Sequence, residues 1–158
     1  MSEADVAAVV SIAGRVHVDY PEDDAVFAER RRLYPDGCMV LDLAHQVSAY
    51  VISHPWHYLE PPSLNALLGE LPKTATTYYI HDLALLPDAR GVGAASSMVE
   101  RLLAHACSAG FPNSSLVAVK ESPGFWRRHG FEILSDPVLD RKLRSYDEAA
   151  RYMVRTLS

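Results

Sequence analysis

From Tyr78 to Ala109 the chain spells a strand, a glycine-bearing turn and a helix, and this pattern constrains the fold more than any other. Tyr78 to Leu86 is an apolar, strand-like run closed by Pro87 and Asp88. Arg90-Gly91-Val92-Gly93 supplies the turn. A helix-like run from Ala94 to about Ala109 follows, with Met98, Leu102, Leu103, Ala106 and Cys107 as its apolar stripe and Gly110 as its stop. A helix N-terminus offers unpaired N–H groups and the positive end of a dipole, so it suits an anion. Gly91 and Gly93 let the backbone come close to that anion, and Arg90 adds positive charge. The pattern predicts a phosphate cradle over residues 90–95.

A dinucleotide-binding fold fits this turn less well. Gly91-Val92-Gly93-Ala94-Ala95-Ser96 lacks the last glycine of Gly-x-Gly-x-x-Gly. The acidic residue that should hold a ribose after the next strand is also missing, since Leu116 to Val119 ends in Lys120.

The spacing Arg90-x-x-Gly93-x-Ala95 resembles the coenzyme A pyrophosphate loop of the GNAT (Gcn5-related N-acetyltransferase) superfamily, written Gln/Arg-x-x-Gly-x-Gly/Ala. A second block, Phe125-Trp126-Arg127-Arg128-His129-Gly130-Phe131, resembles that family's late helix, which ends Phe-Tyr-x-x-x-Gly-Phe. The resemblance implies an α/β (α+β) GNAT fold in a single domain over residues 1–158. Its central sheet would be mixed, mostly antiparallel, of about six strands flanked by about four helices, with the first strand short or absent. Acetyl-coenzyme A is the implied cofactor, with Leu85, Leu86, Arg90, Gly91, Val92, Gly93, Ala94, Ala95 and Phe125 as its contacts. The backbone at Leu85 and Leu86 would pair with the pantetheine arm and polarise the thioester carbonyl.

Elsewhere the residues themselves set the elements. Ser2 with Asp5 opens a helix whose stripe is Val6, Val9, Val10 and Ala13, ending at Gly14. Pro21 to Asp24 opens a second helix that runs to Tyr34. Cys38–Leu43 and Gln46–Ser53 read as two strands with a tight turn near Ala44-His45. The segment from His54 to Thr77 is irregular, aromatic and proline-rich, with one or two helical turns at 63–68. Beyond Gly110 come a strand at Leu116–Val119, a short helix at Gly124–His129, a strand at Phe131–Leu134 and a last strand at Ala150–Leu157.

An amine arrives protonated and must lose a proton before it can attack a thioester, and a neutral imidazole can accept it. Alternation along Tyr79–Leu85 sets Tyr79, His81, Leu83 and Leu85 on one face and Ile80, Asp82 and Ala84 on the other. His81 stands nine residues before Arg90, where the arylalkylamine N-acetyltransferase branch of the family carries a histidine, and that branch is the closest in motif. The branch's second histidine, two residues earlier, is Tyr79 here. His81 is therefore the candidate base and Asp82 the second candidate. The family's tyrosine acid is replaced by Trp126, whose indole N–H donates but is no acid. A thiol with pKa about 8.5 leaves tolerably as thiolate, a deficit of about 2 kcal/mol at neutral pH, and Trp126 or Ser122 could donate to the sulfur. Tyr20, Phe27, His54, Trp56 and Tyr79 are candidates for the acceptor pocket, whose aromatic rings suit an aryl group or a cation.

The resulting expectation is an N-acetyltransferase that joins an acetyl group to the primary amine of a small molecule by direct attack in a ternary complex. Neither Cys38 nor Cys107 stands in the strand facing the thioester. The alternatives are a coenzyme A-binding regulatory module without turnover, and a peptide or protein N-acetyltransferase. Composition narrows the partners. A net charge of −5 argues against nucleic acid. The sequence lacks a run of about 20 apolar residues, so a membrane span is not expected. The acidic first residues do not read as a signal peptide, and two cysteines are too few for a disulfide framework. Both cysteines are expected to be buried, the location cytoplasmic, the state monomer or homodimer. A metal site is not expected, since Pro55 and the loop setting of His54 and His57 give no fixed ligand geometry.

Overall fold

A computed structural model describes residues 1–145 and 147–158. Eleven elements follow in order: α1 (Val6–Val16), α2 (Asp24–Leu33), β1 (Cys38–Leu43), β2 (Gln46–Trp56), β3 (Thr77–Leu85), α3 (Ala94–Ser108), β4 (Asn113–Ala118), α4 (Pro123–Arg128), β5 (Glu132–Ile133), α5 (Pro137–Arg144) and β6 (Arg151–Thr156). The strands form one sheet in the order β1-β2-β3-β4-β6-β5. β1–β2, β4–β6 and β5–β6 pair antiparallel, while β3 and β4 pair parallel from Tyr78–Ser114 to Ile80–Leu116. The expected mixed α/β fold of this class is the observed one, with five α-helices instead of about four. Among the described residues no strand precedes α1.

The chain divides into two compact units, Met1–His54 with Pro62–Leu71 and His81–Leu102, and Pro55–Pro61 with Pro72–Ile80 and Leu103–Ser158. In the first, Ser2 and Asp5 cap the chain's opening turn, Asp5 Oδ2 accepting from Ser2 N at 2.6 Å and Ser2 Oγ at 2.8 Å. α1 does not stop at Gly14. It continues to Val16 and closes with the His17 amide on the Ala13 carbonyl, which carries His17 to the helix end. Val9, Ile12 and Ala13 of α1 and Phe27 of α2 pack with Cys38, Tyr50, Ile52 and Ala84. Phe27 meets Tyr50 edge-on with ring centres 6.2 Å apart. Each such apolar side chain contributes about 1.5–3 kcal/mol on burial. The hairpin between β1 and β2 turns at Ala44 and His45, both in the left-handed region at φ 51° and 65°, as a two-residue turn requires.

In the second unit Leu139, Leu143, Ala150 and Tyr152 form the core, with Tyr58, Leu59, Val117, Val119, Leu134 and Val154 against it. Leu139 and Leu143 come from α5, a helix the sequence reading omits. It is only eight residues long, too short for a clear periodic stripe. Its start is nonetheless well specified: Pro137 occupies the first turn, and Asp136 accepts from Val138 N at 3.1 Å and Leu139 N at 2.8 Å, a cap worth about 1 kcal/mol.

Three further expectations need correction. β2 runs on to Trp56, so His54, Pro55 and Trp56 are strand residues and not loop. Residues 63–68 form a turn without helix, because polar side chains of the first unit, Glu22, Glu29 and Arg30, take up the backbone groups of 65–69 that a helix would have paired internally. Cys107 is exposed, since it lies on the solvent side of α3 beside buried Ala106; Cys38 is buried as expected. No helix among the described residues is long and apolar enough to cross a membrane.

Candidate active site

β3 delivers two adjacent titratable side chains, and the turn between α1 and α2 answers each with a partner of opposite type. His81 Nε2 lies 2.8 Å from Glu22 Oε1, with only 7% and 6% of the two side chains exposed. Asp82 Oδ1 lies 2.7 Å from His17 Nε2, and Asp82 Oδ2 accepts from the Tyr50 hydroxyl. His54, buried on β2, has its ring centre 6.3 Å from that of His81.

The environment tunes these groups in opposed directions. Burial pushes the Glu22 carboxyl up, but the His81 hydrogen bond and charge and the Asn65 amide outweigh it, leaving the group below its ordinary 4.5. Burial likewise works against Asp82, and the His17 contact and charge with the Tyr50 hydroxyl hold it below 3.8. For His17 burial works downward, and the Asp82 carboxylate overrides it to raise the imidazole above 6.5. Burial first, then the Asp82 charge, pushes the Tyr50 phenol far up, so it stays a hydroxyl donor.

Past His81 and Asp82 the strand ends at Leu85, and a short turn over Pro87–Ala89 leads to the loop. Arg90 Nε donates to the Leu85 carbonyl at 3.1 Å, fastening the loop to the strand end. Gly91 and Gly93 take φ of 76° and 79°, the left-handed region that side-chain-bearing residues avoid. No atom lies within 4 Å of where a Cβ would stand on either, so their backbone is open to close approach at the start of α3. Val92 is exposed, and Ala94 and Ala95 open the helix. These residues fit a diphosphate. The Leu86 amide, expected to face a thioester, instead donates to the Ser48 carbonyl at 2.9 Å. Alternation leaves the Leu85 amide on the other side of the strand, so Leu85 is the better candidate for that role.

The remaining candidates divide. In the first unit Phe27 is a core residue at 2% exposure, not a pocket residue, because Tyr50 packs against it. Tyr20 lies half-buried on the α1–α2 turn. In the second unit Tyr79 is buried in β3, and Trp56 donates its indole N–H to the Glu60 carbonyl at 2.8 Å. Ser122 is no donor to a sulfur: its single O–H goes to the Val119 carbonyl at 2.7 Å. Trp126 is buried edge-on against Phe125 and Phe131, ring centres 5.0 and 5.5 Å away, so packing accounts for it. Phe125 is half-buried, with the Arg128 guanidinium 5.9 Å from its ring centre. Among the described residues no group of three metal-ligating side chains comes together.

Sequence reasoning missed Glu22, His17 and Tyr50. Glu22 reads as an ordinary acid before a helix and His17 as a helix-end residue. Their partners lie about 60 residues away, beyond any local spacing.

A mixed sheet with a glycine turn opening a helix after its third strand defines the fold of an acetyltransferase. The chain belongs to the acetyltransferase (GNAT) family, whose sequence profile matches residues 9–131. No curated protein matches it. Among solved structures it is similar to the GNAT-like decarboxylase GphF in complex with isobutyryl-CoA (17% identity, TM-score 0.81, covering 100% of this chain and 97% of that one). It is also similar to Ard1 from Thermoplasma volcanium (18%, 0.76, 100% and 95%). A third likeness is the ribosomal-protein-S18-alanine N-acetyltransferase from Escherichia coli (15%, 0.70, 100% and 91%). At such identities the likeness carries the fold alone.

Proposed function

We propose that this protein transfers an acetyl group from acetyl-coenzyme A to the primary amine of a small molecule, with His81 as general base. One observation carries the reading: a buried imidazole, hydrogen-bonded to a carboxylate at 2.8 Å, stands on the strand that runs into the Arg90–Ala95 loop. Buried titratable pairs are costly, and they recur where a group must take and release a proton. When bound, acetyl-coenzyme A supplies the acetyl group as a thioester whose carbon–sulfur bond breaks as the new carbon–nitrogen bond forms. Arg90, Gly91, Gly93 and the first amides of α3 hold its diphosphate. His81 takes the proton from the acceptor ammonium, directly or through water, and so frees the nitrogen lone pair. Tyr20 on the α1–α2 turn contributes to the acceptor site of the same unit, while His54, fully buried on β2, packs behind it. The arylalkylamine N-acetyltransferases remain the branch closest in motif, and aromatic amines are the first acceptors to try.

A module that binds coenzyme A without turnover is the competing reading, and the packed Trp126 at the usual acid position favours it. Thiol release from acetyl-coenzyme A over a panel of primary amines separates the two. Release is expected, and His81→Ala should lower kcat/KM about 10²–10⁴-fold while calorimetric affinity for coenzyme A stays unchanged. Binding without release on any amine, or equal rates for the variant, overturns the proposal.

A further inference from the structure

We infer that Glu22 is a positioning residue for His81, and that residues 65–69, fastened along α2, hold Glu22 in place. The inference rests on reading His81 as the base.

The two carboxylate oxygens of Glu22 have separate tasks. Oε1 meets His81 Nε2 at 2.8 Å, and Oε2 accepts from the backbone N–H of Asn65 at 3.0 Å. A carboxylate can only accept, so the hydrogen on the first bond belongs to Nε2 of the imidazole. Glu22 therefore selects one tautomer and makes Nδ1 the nitrogen that takes a proton. When His81 becomes charged, the same carboxylate faces the imidazolium. This is the orienting role an acid plays behind a histidine base.

Asn65 is clamped on the other side of this bond. It sits in the left-handed region at φ 58°. Its side-chain oxygen accepts from Asp23 N at 2.7 Å, and its side-chain nitrogen donates to Asp23 Oδ2 at 3.3 Å. The following residues are pinned to α2 by a buried ion pair. Arg30 Nη2 donates to the Ala66 carbonyl at 2.9 Å. Glu29 accepts from Leu68 N at 2.7 Å and Gly69 N at 2.9 Å while pairing with Arg30 at 2.8 Å. Glu29 and Arg30 are nearly inaccessible, at 8% and 1% exposure. A surface loop without function has no need of two buried charges to fix its course. Here the contacts run in unbroken order from α2 through 65–69 to Glu22 and end on the imidazole. An acceptor-side segment thereby sets the proton-accepting atom.

Besides Glu22 and His54, which face His81 from the α1–α2 turn and β2, the nearby titratable groups are its chain neighbour Asp82 and the His17 that pairs with that aspartate. A test must separate Glu22 from the other three. Histidine-labelled full-length protein is titrated by NMR as wild type, Glu22→Gln, Glu22→Asp and Asn65→Gly. The expected wild-type tautomer is Nε2–H. Glu22→Gln should mix the His81 tautomers, with the His17 signal nearly unmoved. Asn65→Gly keeps the backbone N–H but loses the clamp, and should move His81 the same way by less. Glu22→Asp should restore part of the tautomer preference. With 2-phenylethylamine as acceptor, Glu22→Gln should lower kcat/KM by about 10- to 100-fold, part of what a positioned base supplies, with Glu22→Asp recovering part of the rate. An unchanged His81 tautomer in both Glu22→Gln and Asn65→Gly overturns the inference. If His81→Ala is inert in catalysis while the NMR shifts appear, the positioning stands and the assignment of His81 as base falls.

Discussion

The end of β3 and the helix α4 both carry residues that the sequence marks as chemical, yet they are built from opposite materials. At His81 and Asp82 the described partners include Glu22, His17 and the Tyr50 hydroxyl, all polar. Around α4 the partners are aromatic: Trp126 against Phe125 and Phe131, and Phe125 against His129 at 4.7 Å. Burying ionisable pairs brings a desolvation cost that an apolar core avoids. Aromatic stacking brings only gain, about 0.5–1.5 kcal/mol per pair beyond the area buried. The first arrangement suits the proton chemistry proposed above and the second suits stability, although family resemblance alone would have assigned a chemical role to both.

The sharpest way to break this contrast is to exchange the losses. Trp126→Ala removes a large buried side chain and should destabilise the protein by about 3–5 kcal/mol in chemical denaturation, with the folded fraction keeping most of its turnover. His81→Ala leaves the buried Glu22 carboxylate without its imidazole and so also lowers stability, but its distinguishing effect should be the loss of rate from folded material. If Trp126→Ala removes turnover from material that remains folded, α4 is catalytic after all and the contrast fails.

A smaller effect sharpens the polar side. Asp82→Asn leaves His17 facing a neutral amide and perturbs the Tyr50 hydroxyl bond. It should lower stability by about 1–3 kcal/mol, measured by the same denaturation, with a much smaller loss of rate than His81→Ala. A loss equal to that of His81→Ala would make Asp82 the base and His81 its support.

How much of this was legible in the sequence follows from the range of the forces. The glycine turn, β3 and α3 are local, set by residues next to one another, and they stand within a residue or two of their expected bounds. His81 was legible as a candidate because β alternation is local and its distance to Arg90 matches the resemblance. Glu22, His17 and Tyr50 were not, because each is recruited across the fold and has an ordinary reading in place. Phe27 and Ser122 were misassigned for the same reason: whether an aromatic ring lines a pocket or fills a core, and where a hydroxyl donates, depend on neighbours that spacing does not reveal. α5 carried its signal openly in Asp136-Pro137, but eight residues hold too few apolar positions to show a period.

The mildest expected effect is in pH. Glu22 and Asp82 lie below their ordinary values of 4.5 and 3.8. Their contribution is complete above those values and is lost as the pH falls through the lower folded-state values. His17 lies above 6.5. Its contribution is complete below 6.5 and fades as the pH rises through the folded-state value. All three act together between 4.5 and 6.5, and stability should be broadest there and decline on both sides. Denaturation midpoints measured from acid to alkaline pH should show both limbs. Asp82→Asn should flatten both, since it removes one carboxylate and the partner that raises His17. His17→Ala should flatten the alkaline limb and also weaken the acid one, because Asp82 loses its cation. Trp126→Phe should lower the whole curve without changing its shape, because neither side chain ionises and Glu22, Asp82 and His17 keep their partners. A changed shape in Trp126→Phe, or an unchanged one in Asp82→Asn, would remove the division between a region built for protons and a region built for packing.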